Sequence, residues 1–331
     1  NSKQSIVYFN PYERIIPMSV SPWFWAVFIG IVLVLLIIDL GLFNKDDAEI
    51  SIKKSLQMSA FYIAIAGLFG GWMWWQFGAE SGMSYFTGYV LEKTLSLDNI
   101  FVIALIFSTL QVPLKYQHRV LFYGILGVIV LRAIFIGLGA AIVSEFAWVM
   151  YIFGAFLVFT GIKMLLAEDE HTDIKENRIY QYLTKHFRFT DSIQNHDFFV
   201  KKQVDQKVVT YGTPLLLALI MVEIVDLVFA VDSIPAIFSI TQEPFIVYTS
   251  NIFAILGLRS LYFALGAMLE RFEYLKYALA GLLIFIGTKL FIIKWVHIPI
   301  AITLSITIGA IAAGVVFSLW KTKNLSNHNT H

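Results

Sequence analysis

The chain alternates long apolar runs with short polar connectors. Nine runs, at about 23–43, 57–78, 84–110, 120–143, 146–166, 214–239, 245–268, 276–294 and 298–320, are each long enough to predict a bilayer-crossing helix. The first reads as a retained span rather than a cleaved signal. All eight tryptophans fall near predicted run ends, where amphipathic rings settle at a membrane interface. The fold class predicted is an all-α polytopic membrane protein.

One connector is long. Residues 167–213 are polar. They predict a short helix capped by Thr172 or Asp173, then a small hairpin turning near Val204–Gln206. Sixteen of the 24 Lys and Arg lie in connectors on one side of the predicted bundle and three on the other, with five inside spans. The positive-inside rule then puts the N-terminus outside, and the C-terminus and the 167–213 connector in the cytoplasm.

The runs repeat. ILGVIVLRAIFIGLGAAI at 125–142 aligns with IFAILGLRSLYFALGAML at 252–269, pairing Arg132 with Arg259 and Gly139 with Gly266. FLVFTGIKML at 156–165 aligns with LLIFIGTKLF at 282–291, pairing Gly161 with Gly287 and Lys163 with Lys289. LEKTLSLDNIF at 91–101 aligns with VDLVFAVDSIP at 225–235, pairing Glu92 with Asp226, Asp98 with Asp232 and Asn99 with Ser233. Spans 3–5 (84–166) thus recur as spans 6–8 (214–294). Three helices is an odd number, so the second unit enters from the opposite face. An inverted repeat of this kind is common in secondary transporters.

Within the spans stand Asp39, Glu92, Lys93, Asp98, Arg132, Lys163, Glu223, Asp226, Asp232, Arg259 and Lys289. Uncompensated, eleven such groups would cost on the order of 30 kcal/mol on insertion scales. They must pair or line a polar cavity. Structural ion pairing, with compensation of an empty acidic site, is the reading for Arg132, Arg259, Lys163 and Lys289. Lys93 is expected to snorkel. At 100° per residue, Glu92, Ser96 and Asn99 share a face, and Glu223 neighbours Asp226. Asp98 and Asp232 lie about 120° from the acids six residues before them, so an unbroken helix cannot aim every acid at one site. Pro235 suggests local unwinding near 230–234, and by the repeat near 96–98, with freed carbonyls joining the site. Glu92 is expected near Asp226, and Asp98 near Asp232.

Composition narrows the chemistry. Of 331 residues 58% are hydrophobic and 14% charged, and the net charge of +1 gives no basic surface for nucleic acid. There is no cysteine, so thiol chemistry is closed to this chain. The seven histidines fall in loops, near span ends or in the tail. No phosphate-cradling GxxxxGK[ST] loop occurs. Carboxylate, amide, hydroxyl and carbonyl oxygens suit Mg²⁺, Ca²⁺ or Mn²⁺. The ligand set predicted is Glu92, Asp98, Glu223, Asp226 and Asp232, with Asn99 and Ser233 as neutral donors and Asp39 on the entry path. Buried carboxylates bind protons readily in general, so proton exchange for the cation is expected. The rival readings are a non-transporting scaffold built on an ion-pair lattice and, more weakly, an intramembrane hydrolase.

LEKTLSLDNIF at 91–101, EIVDLVFAVDSIPAIF at 223–238, LDLGLF around Asp39 and the GxK pairs at 161–163 and 287–289 resemble the TerC family of bacterial integral membrane proteins over nearly the whole chain. The family was named for tellurium resistance, and several members are associated with manganese export. The resemblance implies a non-enzymatic inner-membrane exporter whose ion-site positions are Glu92, Asp98, Asn99, Glu223, Asp226, Asp232 and Ser233. It narrows the hard cation to Mn²⁺; ligand chemistry alone leaves Ca²⁺ open.

Overall fold

The computed structural model describes residues 20–43, 52–146, 148–166, 177–190, 192–193, 196–204, 207–265, 274–292, 295–296 and 298–328. In order these form α1 (Pro22–Phe43), α2 (Ile52–Phe77), α3 (Ala79–Thr109), α4 (Leu114–Glu145), α5 (Val149–Leu166), α6 (Arg178–His186), β1 (Phe199–Val204), β2 (Lys207–Gly212), α7 (Pro214–Phe238), α8 (Pro244–Leu256), α9 (Leu258–Leu265), α10 (Leu275–Ile292) and α11 (Ile300–His328). The chain is an all-α polytopic membrane protein. Among the described residues, eight stretches are long and apolar enough to cross a membrane, α8 and α9 together making one of them. The remaining predicted span is α3, as long as its neighbours but carrying Glu92, Lys93 and Asp98. It packs among α2, α7, α8 and α11 rather than on the outside. The bundle's exterior is apolar, with Leu68, Phe159 and Val228 more than half exposed. Surface of that kind is stable only against lipid.

Proline sets two helix starts. Pro214 and Pro244 occupy the first turns of α7 and α8, where a missing N–H costs nothing and φ is already helical. Pro235 does not unwind α7, contrary to expectation, and α3 also runs unbroken through 96–98. The reason is position. Pro235 falls in the last turn of α7, which ends at Phe238, so its missing donor opens little of the ladder. Only the Val231 carbonyl loses its helical donor there, and the helix does not open around it.

The discontinuous span is instead 244–265, broken at Gly257 between α8 and α9. The end of α8 leaves carbonyls without helical partners. Lys93 of α3 answers one of them: its Nζ donates to the Ala254 carbonyl at 3.0 Å. Lys93 therefore caps a helix end inside the bundle and does not snorkel. A side chain at Gly257 would meet Lys93 Nζ at 2.8 Å, so glycine makes room for the cap.

The α5–α10 contact is built from small residues. A Cβ at Gly287 would stand 2.6 Å from the Gly154 carbonyl oxygen, and one at Gly161 would stand 2.7 Å from that of Ala280. Close backbone approach of this sort is how helices associate without a hydrophobic driving force. The two contacts interchange when 154 and 161 are swapped for their sequence counterparts 280 and 287. Likewise α3 packs on α8 while α4 packs on α7.

The long connector holds a helix and a hairpin. The hairpin pairs Phe199 with Gly212 through Val204 with Lys207, as its sequence predicted. The helix starts later than expected. Asn177 caps α6, its Oδ1 accepting from the Ile179 N–H at 2.8 Å. Thr172 and Asp173 lie outside the described residues.

Candidate functional site: a buried arginine between two acidic motifs

The centre of the bundle is organised by Arg132 of α4, whose side chain is 1% exposed. Its Nη1 lies 2.9 Å from Glu92 Oε1 on α3. On α7 it grips Asp226 side-on, Nε to Oδ2 at 3.1 Å and Nη2 to Oδ1 at 3.1 Å. Nη1 also donates to Ser233 Oγ at 2.9 Å. Asn99 adds a bond from Nδ2 to Asp226 Oδ1 at 3.3 Å. Glu92 and Asp226, predicted neighbours, are thus joined through one guanidinium, with Asn99 and Ser233 beside them. The planar fork suits this role, since a two-bond grip on carboxylate is something an ammonium cannot supply.

Local sequence explains the convergence. Glu92, Ser96 and Asn99 recur at helical spacing on one face of α3, and Ser96 turns its hydroxyl inward to the Glu92 carbonyl at 2.8 Å. Asp226 and Ser233 are seven residues apart, two turns along one face of α7.

The other predicted residues separate. Glu223, one turn before Asp226, lies against α4 where a side chain at Gly127 would collide with its carboxylate, and its Oε2 is buried without a hydrogen-bond partner. Asp232 faces α5: Thr160 Oγ1 donates to its Oδ1 at 3.0 Å, and Lys163 interacts with it electrostatically. The 120° offset persists because α7 stays helical. Asp39 pairs with Arg259, Nη2 to Oδ1 at 2.8 Å, both residues nearly fully buried and the Tyr62 hydroxyl bonded to the same carboxylate. Asp39 therefore belongs to a second ion pair. The Asp98 side chain lies outside the described residues, so the expected Asp98–Asp232 approach does too.

Among the described residues no group of three or more His, Cys, Asp or Glu is gathered so as to hold a metal ion. The physical reason at the centre is Arg132 itself, which stands between the two acids. Beside it is a cavity of about 20 Å³, room for roughly one water. Asn99, Asp226, Gly124, Val128, Ile255 and Leu258 line it. Several buried polar atoms have no hydrogen-bond partner, among them Glu92 Oε2, Asn99 Oδ1, Tyr89 Oη and both side-chain atoms of Asn251. Each such atom costs about 1–3 kcal/mol if nothing pairs with it.

Two residues of this region escaped the sequence reading. Gly127 carries no signal beyond being a glycine in a helix. Asn251 follows Thr249 and Ser250 in an otherwise apolar run, and nothing in its spacing singles it out.

The integral membrane protein TerC family model matches residues 77–326. An uncharacterized membrane protein of Myxococcus xanthus is 44% identical over 308 residues, 93% of this chain and 95% of its own. One from Rickettsia felis is 45% identical over 304 residues, 92% of this chain and 99% of its own. A protein of Escherichia coli K12 named as a candidate membrane-bound redox modulator, Alx, is 44% identical over 309 residues, 91% of this chain and 95% of its own. No solved structure matches the chain.

Proposed function

The chain belongs to the TerC family of integral membrane proteins, and from that premise we propose that it is a secondary transporter exporting a hard divalent cation, Mn²⁺, from the bacterial cytoplasm. The observation that carries the proposal is the bridge from Arg132 to Glu92 and Asp226. One acid comes from each of two similar motifs, and they meet deep in a bundle where charges are expensive. Such groups in a membrane interior are functional by default.

The charge count supports a cation as cargo. Counted as ionised, Glu92, Glu223 and Asp226 carry three negative charges against the one positive charge of Arg132. A divalent cation closes that deficit, and so do protons, which makes the exchange of one for the other electroneutral at the site. Arg132 then acts as a tethered partner: it bridges the acids when no cargo is bound and gives up their oxygens, while staying within the site, when the cation enters. Oxygen ligands from these acids, Asn99 and Ser233 suit Mn²⁺ or Ca²⁺. Asp98 and Asp232 complete the proposed acidic path. The two three-helix units, 84–166 and 214–294, rock about the fixed centre as an inverted repeat. The N-terminus lies outside and the C-terminus in the cytoplasm of the bacterial inner membrane. A thiol-based redox role is not open to this chain, which has no cysteine.

A second reading is favoured by the direct pairing of both acids with Arg132. In it the Glu92–Arg132–Asp226 and Asp39–Arg259 pairs are a lattice that holds a non-transporting scaffold together. Proteoliposomes loaded with Mn²⁺ separate the two. The transport reading expects efflux above that of protein-free vesicles, abolished by Glu92→Gln in a variant that remains monodisperse. Wild-type vesicles that retain their Mn²⁺ would leave the scaffold.

A further inference from the structure

We propose that Asn251 of α8 is a ligand of the same cation site, contributing its amide oxygen from a helix that contains neither acidic motif. This inference rests on the transport reading above and names a residue which that reading does not use.

Asn251 is 0% exposed, and neither its Oδ1 nor its Nδ2 has a hydrogen-bond partner. An amide has donors and an acceptor to satisfy, and native interiors satisfy nearly all such groups. Asn251 is a buried polar group that nothing in the fold uses. Its location says what could use it. It stands four residues before Ile255, so the two share one face of α8. Ile255 and Leu258 line the cavity beside Asn99 and Asp226. Extending the sequence repeat by one residue aligns Asn251 with Gly124, which lines the cavity from α4.

The helix packed along α8 is in the same condition. On α3, Tyr89, Glu92 and Asn99 follow one another on one stripe, and each has a buried oxygen without a partner: Oη, Oε2 and Oδ1. The two helices lie side by side in register, with Gly88 against Ser250 and Lys93 against Ala254. Asn251 falls between those contacts, about level with Tyr89 and roughly one turn from Glu92. Unpartnered oxygens on two adjacent helices, with Asn99 at the cavity wall and Asn251 one turn from Ile255 of that wall, mark a polar path that suits a cation shedding its water. A carboxylate and an amide oxygen, here Glu92 and Asn251, are ordinary ligands for a hard divalent ion, while Tyr89 and Asn99, about 15 Å apart along α3, mark successive positions on the path.

The test uses the full chain in detergent, with thermal unfolding followed over a titration of MnCl₂ and, separately, CaCl₂ against an EDTA reference. Wild type is expected to be stabilised by Mn²⁺. Asn251→Leu matches the shape and removes the orphaned amide, so it should unfold at the wild-type temperature or above it in EDTA. It should nevertheless need roughly tenfold more Mn²⁺ for half of the shift, the size of one lost charged interaction. Asn251→Asp serves if the leucine variant does not fold: an acid in the site is destabilised in EDTA and rescued by Mn²⁺. A leucine variant with the wild-type Mn²⁺ dependence, or an aspartate variant that Mn²⁺ does not rescue, overturns the proposal and leaves Asn251 solvated by buried water. A wild type that no divalent ion stabilises overturns the transport reading itself, and this inference with it.

Discussion

Arg132 holds Asp226 by both carboxylate oxygens, at 3.1 Å from Nε and 3.1 Å from Nη2, with both side chains buried. The same guanidinium reaches Glu92 at 2.9 Å. Removing one member of such a set leaves uncompensated charge in a medium that cannot solvate it. Arg132→Met is expected to lower stability by about 3–5 kcal/mol. Arg132→Lys should lose less, keeping the charge but not the side-on grip. Adding Asp226→Asn to Arg132→Met should recover part of the loss, because the orphaned carboxylate is then gone. Denaturant or thermal unfolding of wild type, Arg132→Met, Asp226→Asn and the double variant in one detergent closes this cycle, with Arg132→Lys measured beside it.

The Asp39–Arg259 pair is a separate unit. Asp39→Asn is expected to destabilise the fold by up to about 3–5 kcal/mol. It should leave Mn²⁺-dependent stabilisation at its wild-type concentration dependence, since the pair joins α1 to α9 and the Glu92–Arg132–Asp226 set joins α3, α4 and α7. A shifted dependence would return Asp39 to the ion path that its sequence suggested.

The α5–α10 crossing depends on absent side chains. Gly287→Leu places atoms where the Gly154 carbonyl already stands and should cost about 1–3 kcal/mol or more through overpacking. Gly161→Leu is the matching change at the other contact and should behave alike. Gly309→Ala is the control: nothing lies within 4 Å of its added Cβ, and unfolding should move little. If Gly287→Leu unfolds at the wild-type temperature, the helices are not in contact as described.

Much of this was readable from the residues. Apolar run length placed the spans, because backbone groups in hydrocarbon leave a chain few options but helix. The meeting of Glu92 with Asp226 followed from aligning two motifs. The 120° offset of Asp232 was readable too, but the unwinding expected to undo it does not occur, and Asp232 stays on the α5 side. What was not readable depends on contacts distant in sequence. The break sits at Gly257 and not at Pro235. The proline falls harmlessly in a last turn, while the glycine faces Lys93, 164 positions earlier. Five intramembrane cations were available to the acids, and nothing in their spacing says that Arg132 takes the centre while Arg259 takes Asp39. Asn251 has no periodic signal; its interest lies wholly in what fails to touch it.

The central claim is that Glu92 and Asp226 exchange Arg132 for a divalent cation that crosses the membrane. The most direct measurement is Mn²⁺ movement in proteoliposomes containing wild type, Asp226→Asn or Arg132→Gln, scored for net efflux and for exchange of labelled against unlabelled Mn²⁺. The account predicts both activities in wild type and neither in Asp226→Asn. It predicts exchange without net efflux in Arg132→Gln, because the empty site then lacks the tethered charge that lets it return. Net efflux by Arg132→Gln at the wild-type rate would contradict the account.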